Sequence, residues 1–157
     1  MSPSAVSAAE GSSVPFFING QEVHPERKFK VVSPASGEVV HEAGSASEAD
    51  VRAAVDTAAD AFKTWRKALP QARRGIFLKA AEIMERRKEE LGDYMMNETG
   101  CPREWADFNI NNSKDFLLDL AGRVATLEGA MPTTADPGTG AMILREPFGV
   151  ILAVAPW

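Results

Sequence analysis

The side chains of this chain that could do chemistry are few. Cys101 is the single cysteine and the strongest intrinsic nucleophile present. A reactive thiol needs a lowered pKa or a neighbouring base. Cys101 instead follows Glu98-Thr99-Gly100, a helix-ending signal, and precedes Pro102. That setting reads as structural, and no catalytic residue is assigned within the chain. Pro137-Gly138-Thr139-Gly140 is glycine-rich but lacks a following Lys-Ser/Thr and a preceding strand, so it reads as a loop rather than a phosphate cradle. No Gly-x-Gly-x-x-Gly occurs. His24 and His41 fall on hairpins and read as solvent-facing. Trp105, Phe108 and Asn112 recur at helical spacing, which by itself describes a core stripe. Asn109, Asn111 and Asn112 would be costly if wholly buried, so some of these amides must meet water, a ligand or a partner.

The elements that would position these residues follow from pattern. Pro15-Phe16-Phe17-Ile18 runs into Asn19-Gly20, the strongest short hairpin signal, with Gln21 to His24 returning. Phe29 to Val32, a Pro34-Ala35-Ser36-Gly37 turn and Glu38 to His41 predict a second hairpin. Ser47 as N-cap, with Glu48 and Asp50 in the first turn, opens a helix. Its stripe is Val51, Ala54, Val55, Ala58, Phe62 and Trp65. Pro70 suits the start of a second helix with stripe Ile76, Ala80, Ile83 and Met84. Leu91 to Glu98 continues helically to Gly100 as C-cap residue.

A long helix from about Arg103 carries Trp105, Phe108, Asn112, Phe116, Leu120, Val124 and Leu127 on one side. Gly129 to Gly140 reads as loop and Ala141 to Leu144 as a short strand. Pro147-Phe148-Gly149 is a turn signal, and the six apolar residues from Val150 to Ala155 read as a parallel-sheet strand buried on both faces. Such a strand needs parallel neighbours, which the chain does not obviously supply, so an incomplete domain is expected.

Bulk properties exclude several classes. With 157 residues, 45% hydrophobic and 25% charged, the chain is of globular composition. A net charge of -5 gives no electrostatic reason to propose nucleic acid or an anionic membrane as partner. The basic clusters Arg73-Arg74 and Arg86-Arg87-Lys88 sit among acidic residues, as on a solvated helix face. One cysteine excludes an internal disulfide and fits a reducing compartment. No apolar run approaches the roughly 20 residues of a membrane span. Residues 1–14 have no basic residue and no apolar block, and read as a disordered tail on a cytoplasmic protein.

Arg145-Glu146-Pro147-Phe148-Gly149-Val150 followed by Ala155-Pro156-Trp157, with Phe17-Ile18-Asn19-Gly20 and Pro34-Ala35-Ser36-Gly37 upstream, resembles the NAD(P)-dependent aldehyde dehydrogenases. The resemblance implies an α/β fold: the amino-terminal part of a Rossmann-like cofactor domain, incomplete, with edge hairpins, several helices and one buried parallel-type strand. Residues 15–157 would be that domain, with 128–146 entering the oligomerisation region. Val154, Ala155, Pro156 and Trp157 would line the cofactor, NAD or NADP. The family's oxyanion asparagine would fall just past Trp157, and its nucleophilic cysteine and glutamate base further on.

Glu98-Thr99-Gly100 with Trp105, Phe108 and Asn109 resembles the vanillin and salicylaldehyde dehydrogenase branch. There the tryptophan faces the substrate channel, so Trp105 and Asn112 are expected at a substrate pocket, where an indole can stack on an aromatic aldehyde. Main-chain groups near Val32 and the Glu98 carboxylate match positions that bind a monovalent cation in some relatives, though Glu98 serves equally as a salt-bridge partner. The implied partner is a small-molecule aldehyde, and the complete enzyme is expected to be a homo-oligomer. The chain alone is expected to be inactive. The competing expectation is a truncated, non-catalytic interaction protein that pairs with a full-length relative.

Overall fold

A computed structural model describes residues 13–155. Asn19 and Gly20 both adopt positive φ, 56° and 72°, the pairing that a two-residue hairpin turn needs. They join β2 (Phe16–Ile18) to β3 (Gln21–Val23) in antiparallel register, Phe17 opposite Glu22. β1 (Ser13–Val14) runs parallel to β5 (Val39–Gly44), and β5 pairs antiparallel with β4 (Lys28–Val32) through a register shift at Val31/Val32. Ser13 and Val14, expected in the tail, form β1 instead. Residues 1–12 of that tail lie outside the described residues. Between β4 and β5 the Gly37 amide donates to the Ser33 carbonyl (2.8 Å) and the Ser33 amide to that of Glu38 (2.9 Å), closing the expected turn.

Four helices follow. α1 (Glu48–Trp65) begins with a capping box: the Asp50 amide donates to the Ser47 hydroxyl (3.2 Å), and the Ser47 amide donates to the Asp50 carboxylate (2.8 Å). α2 (Pro70–Arg86) has its proline in the first turn, where a missing N–H costs nothing. α3 (Lys88–Thr99) ends at Gly100, whose φ of 69° is the left-handed cap. α4 (Arg103–Arg123) runs into a 3-10 turn over Val124–Thr126.

The core lies between α2 and α4, the most extensive helix pair, and is made of small side chains: Ala81 on α2 meets a face carrying Ala106, Ile110, Ala121 and Val124. This corrects the expected stripe. Ala106 is fully buried, whereas Trp105, Phe108, Phe116 and Leu120 are exposed. Close approach of two helices selects small residues at the contact, and the large aromatics are turned to the opposite side of α4. On α2, Ile76 is likewise exposed and Ala81 takes the core position. On α1 no residue is buried, and Val51, Val55 and Trp65 of its expected stripe stand exposed.

The carboxy-terminal region departs furthest from expectation. Ala141–Leu144 contributes one antiparallel bridge, in which the Ile143 amide donates to the Ala130 carbonyl (2.8 Å) and the Ala130 amide to that of Ile143 (3.1 Å). Gly129 is required there, since a Cβ would sit 2.3 Å from the Ile143 carbonyl oxygen. The Val150–Ala155 segment joins no sheet and is exposed: Leu152 is 89% accessible and Phe148 fully so. The described strands form two small sheets ordered β1-β5-β4 and β2-β3, and this segment pairs with neither. An apolar strand without a neighbour has nowhere to pair or bury.

Candidate functional site

The α3 to α4 connection brings the chemically distinctive residues together. Gly100 turns the chain, and its cap lies against the β4–β5 turn, where a Cβ at residue 100 would be 3.0 Å from Pro34 Cγ. The Thr99 hydroxyl donates to the Met95 carbonyl (2.7 Å) and accepts the Cys101 amide (3.4 Å). Pro102 has no side-chain cap to offer, and the first turn of α4 starts from its carbonyl, which accepts the amides of Trp105 (3.1 Å) and Ala106 (3.2 Å).

Met95, Thr99, Cys101 and Trp105 line a cleft of about 170 Å³. The Trp105 indole stacks on Phe108, centroids 5.5 Å apart and planes 27° from parallel. The Asn109 amide donates to the Trp105 carbonyl (2.8 Å), which pairs one of the three asparagine amides within the helix itself. Asn112 does not join this cleft. It lines a second, more open groove of about 220 Å³ with Asp115, Phe116 and Asp119, further along the same exposed face of α4. Trp105 and Asn112, both expected along a substrate pocket on one helix face, line two different concavities of that face.

Sequence reading missed two features. Cys101 lines the cleft, and so do Met95 and Thr99, one helical turn apart on α3. The i, i+4 spacing was visible but carried no chemical signal. His41 is not solvent-facing: its side chain is only 11% exposed and its Nε2 lies 3.4 Å from Glu98 Oε1, linking β5 to the end of α3. Glu98 thus has a partner in His41, an ion pair when the imidazole is protonated. His24 is exposed beside Glu22, as expected.

One charged cluster borders the cleft. Arg103, in the first turn of α4, reaches Asp93 (3.0 Å) and Glu89 on α3 and Asp107 (3.2 Å) on α4. Partial burial opposes its charge, yet the Glu89 and Asp107 carboxylates hold its pKa above the usual value. No cluster of three or more His, Cys, Asp or Glu suited to a metal occurs among the described residues. Nor is any described helix long and apolar enough to cross a membrane.

At the carboxy-terminal end, Val154 and Ala155 have exposed side chains and backbone outside any sheet. Pro156 and Trp157 lie outside the described residues.

Two hairpins feeding a helical layer, with an aromatic cleft at a helix junction and an extended apolar segment beyond, make a mixed α/β module. The Aldehyde dehydrogenase family model matches residues 21–157, and the chain belongs to that family. It is 36% identical over 146 residues to a vanillin dehydrogenase of a Pseudomonas species, covering 92% of this chain and 30% of that protein.

Among solved structures it is similar to a salicylaldehyde dehydrogenase from Pseudomonas putida complexed with salicylaldehyde. That match has a TM-score of 0.80 and 31% identity, over 86% of this chain and 28% of that one. It is also similar to an NAD-dependent benzaldehyde dehydrogenase from Corynebacterium glutamicum, with a TM-score of 0.74 and 27% identity over 81% and 28% of the two chains. The chain thus spans about 30% of the length of its curated relatives.

Proposed function

We propose that this chain is the amino-terminal portion of an enzyme that oxidises aromatic aldehydes to carboxylic acids with NAD or NADP. The observation that carries the reading is the cleft formed by Trp105, Cys101, Thr99 and Met95, with Trp105 stacked on Phe108, in a chain whose relatives include vanillin and salicylaldehyde dehydrogenases. A flat indole beside a sulfur-lined wall suits an aryl ring, for stacking and for sulfur–aromatic contact. The reaction needs a hydride acceptor, which the nicotinamide supplies when bound. Val154, Ala155, Pro156 and Trp157 would line that cofactor, and Asn112 would lie further along the same wall.

The 157-residue chain alone is inactive in this reading. No base lines the Cys101 cleft, and the family's nucleophile and carboxylate base belong to motifs this chain does not contain. Residues 128–146 would enter the oligomerisation region, and the complete enzyme would be a cytoplasmic homo-oligomer with no nucleic-acid or membrane partner.

The test is Trp105→Ala in the complete enzyme. The ratio of kcat/KM on benzaldehyde to that on a short aliphatic aldehyde is expected to fall roughly fivefold, the scale of an aromatic contact worth about 1 kcal/mol. An unchanged ratio overturns the stacking role. The second reading, a non-catalytic chain that pairs with a full-length relative, draws on the exposed Phe148–Ala155 segment, whose main chain is open to pairing. Co-purification with an intact dehydrogenase would favour it.

A further inference from the structure

Most ion pairs of the described residues are local, joining side chains three or four positions apart in sequence: Arg52 with Glu48, Lys63 with Asp60, Lys79 with Glu82, Arg87 with Glu90, Arg123 with Asp119. Such exposed pairs contribute little. Arg103 is of another kind. Its Nη1 and Nη2 reach Asp93 and Glu89, ten and fourteen residues back on α3, while its Nε holds Asp107 on its own helix. All three of its donor nitrogens are engaged, and the side chain is 30% exposed.

The seat of the guanidinium is Gly92, which is buried. A Cβ there would lie 3.2 Å from Arg103 Cζ and 3.4 Å from each Nη. Three nearly equal distances mean that the guanidinium plane lies broadside on the α3 backbone. A side chain at residue 92 would be tight against it, and the guanidinium would have to give by a few tenths of an ångström. The planar fork therefore fixes both the separation and the rotation of the two helices, which a point charge such as lysine would not do. Trp105 is two residues after Arg103, and Met95 is three after Gly92, so both cleft walls are attached to this contact.

We propose that Arg103 is a positioning residue, whose three-carboxylate contact across Gly92 sets the distance between the Trp105 and Met95 walls of the cleft. Its functional consequence, a change in how the cleft takes an aryl ring, rests on the substrate reading above; the positional effect does not.

The experiment is 19F NMR of the 157-residue chain labelled with 5-fluorotryptophan, the Trp105 resonance being assigned by Trp105→Phe. Arg103→Met is expected to move that resonance by more than its linewidth and leave Trp65 in place, with Arg103→Lys giving a partial shift. Arg52→Met, which breaks a local pair on α1, is expected to leave Trp105 unmoved. Asp93→Asn and Glu89→Gln, each removing one arm, are expected to shift it in the Arg103→Met direction by less.

A Trp105 resonance unmoved in Arg103→Met overturns the proposal. Should Arg103→Met lose the dispersion of every resonance, the single-arm variants decide, and an unmoved Trp105 in both overturns it. Benzaldehyde is then titrated into the wild type. If it leaves the Trp105 resonance still while Arg103→Met shifts it, positioning stands and the substrate reading falls.

Discussion

The α2–α4 layer and the α1 and Phe148–Ala155 surfaces are built from similar amounts of apolar sequence with opposite outcomes. In the first, Ala81, Ala106, Ile110, Ala121 and Val124 are buried, and Lys114 on α4 adds a cross-helix pair to Glu85 on α2 at 2.6 Å. In the second, Val51, Val55, Trp65, Phe148, Ile151, Leu152 and Val154 are larger and more hydrophobic, yet exposed. Hydrophobicity is therefore not what separates the two regions. The layer has a complementary face among the described residues; the exposed surfaces have none there. Burial is a property of pairs of surfaces, and stability should concentrate where both halves of a pair are present.

The largest test of that contrast is a matched pair of substitutions. Ile110→Ala should cost roughly 2 to 5 kcal/mol by opening a cavity in the layer. Leu152→Ser, a more drastic change in polarity, should stay within about 0.5 kcal/mol, as expected for a surface position. Denaturant melts of both variants check the contrast, and a comparable loss for Leu152→Ser would show that the segment is packed in solution.

A smaller effect probes α1, which makes only light contact with β2 and must rely on its own ends. Ser47→Ala removes the hydroxyl that accepts the Asp50 amide and should cost about 1 kcal/mol of helix stability, read by hydrogen exchange of its first turn.

The smallest is a pH effect. Hydrogen bonds to Ser47 hold Asp50 below its usual range, and the hydrogen bond and charge of Lys114 do the same for Glu85. The folded state thus takes up these protons less readily than the unfolded chain. The stabilisation is complete above the unfolded pKa values and is lost as pH falls through the lower folded ones. A thermal midpoint flat between about pH 7 and 5 and declining below about 4 is expected. For Asp50 that decline should be smaller in Ser47→Ala, which removes the hydroxyl bond but keeps the Ser47 amide's bond to the carboxylate.

Local chemistry made much of this architecture legible in sequence. Asn19-Gly20, the Ser47 and Asp50 capping box, Pro70 and Gly100 each act within a few residues, and each stands where its type requires. The α4 face was not legible, because a stripe of Trp105, Phe108, Phe116 and Leu120 has the right period for a core, and only the closeness of α2 decides that alanines occupy it. The terminal strand was not legible either, since a strand is defined by its neighbours and its own residues are only permissive. Of the cleft, Trp105 was found by resemblance. Cys101, Met95 and Thr99 were missed because a wall is assembled from side chains whose types carry no chemistry alone.

The Gly100 cap has a consequence for the chain's tolerance of variation. A side chain at this position meets two objections at once, a backbone held at φ 69° and a Pro34 ring 3.0 Å from where its Cβ would be. Asparagine, which answers the first objection elsewhere, has no answer to the second. The constraint runs one way: a replacement at position 100 needs Pro34 to draw back as well as a residue that accepts the left-handed backbone, whereas a smaller residue at position 34 asks nothing of Gly100.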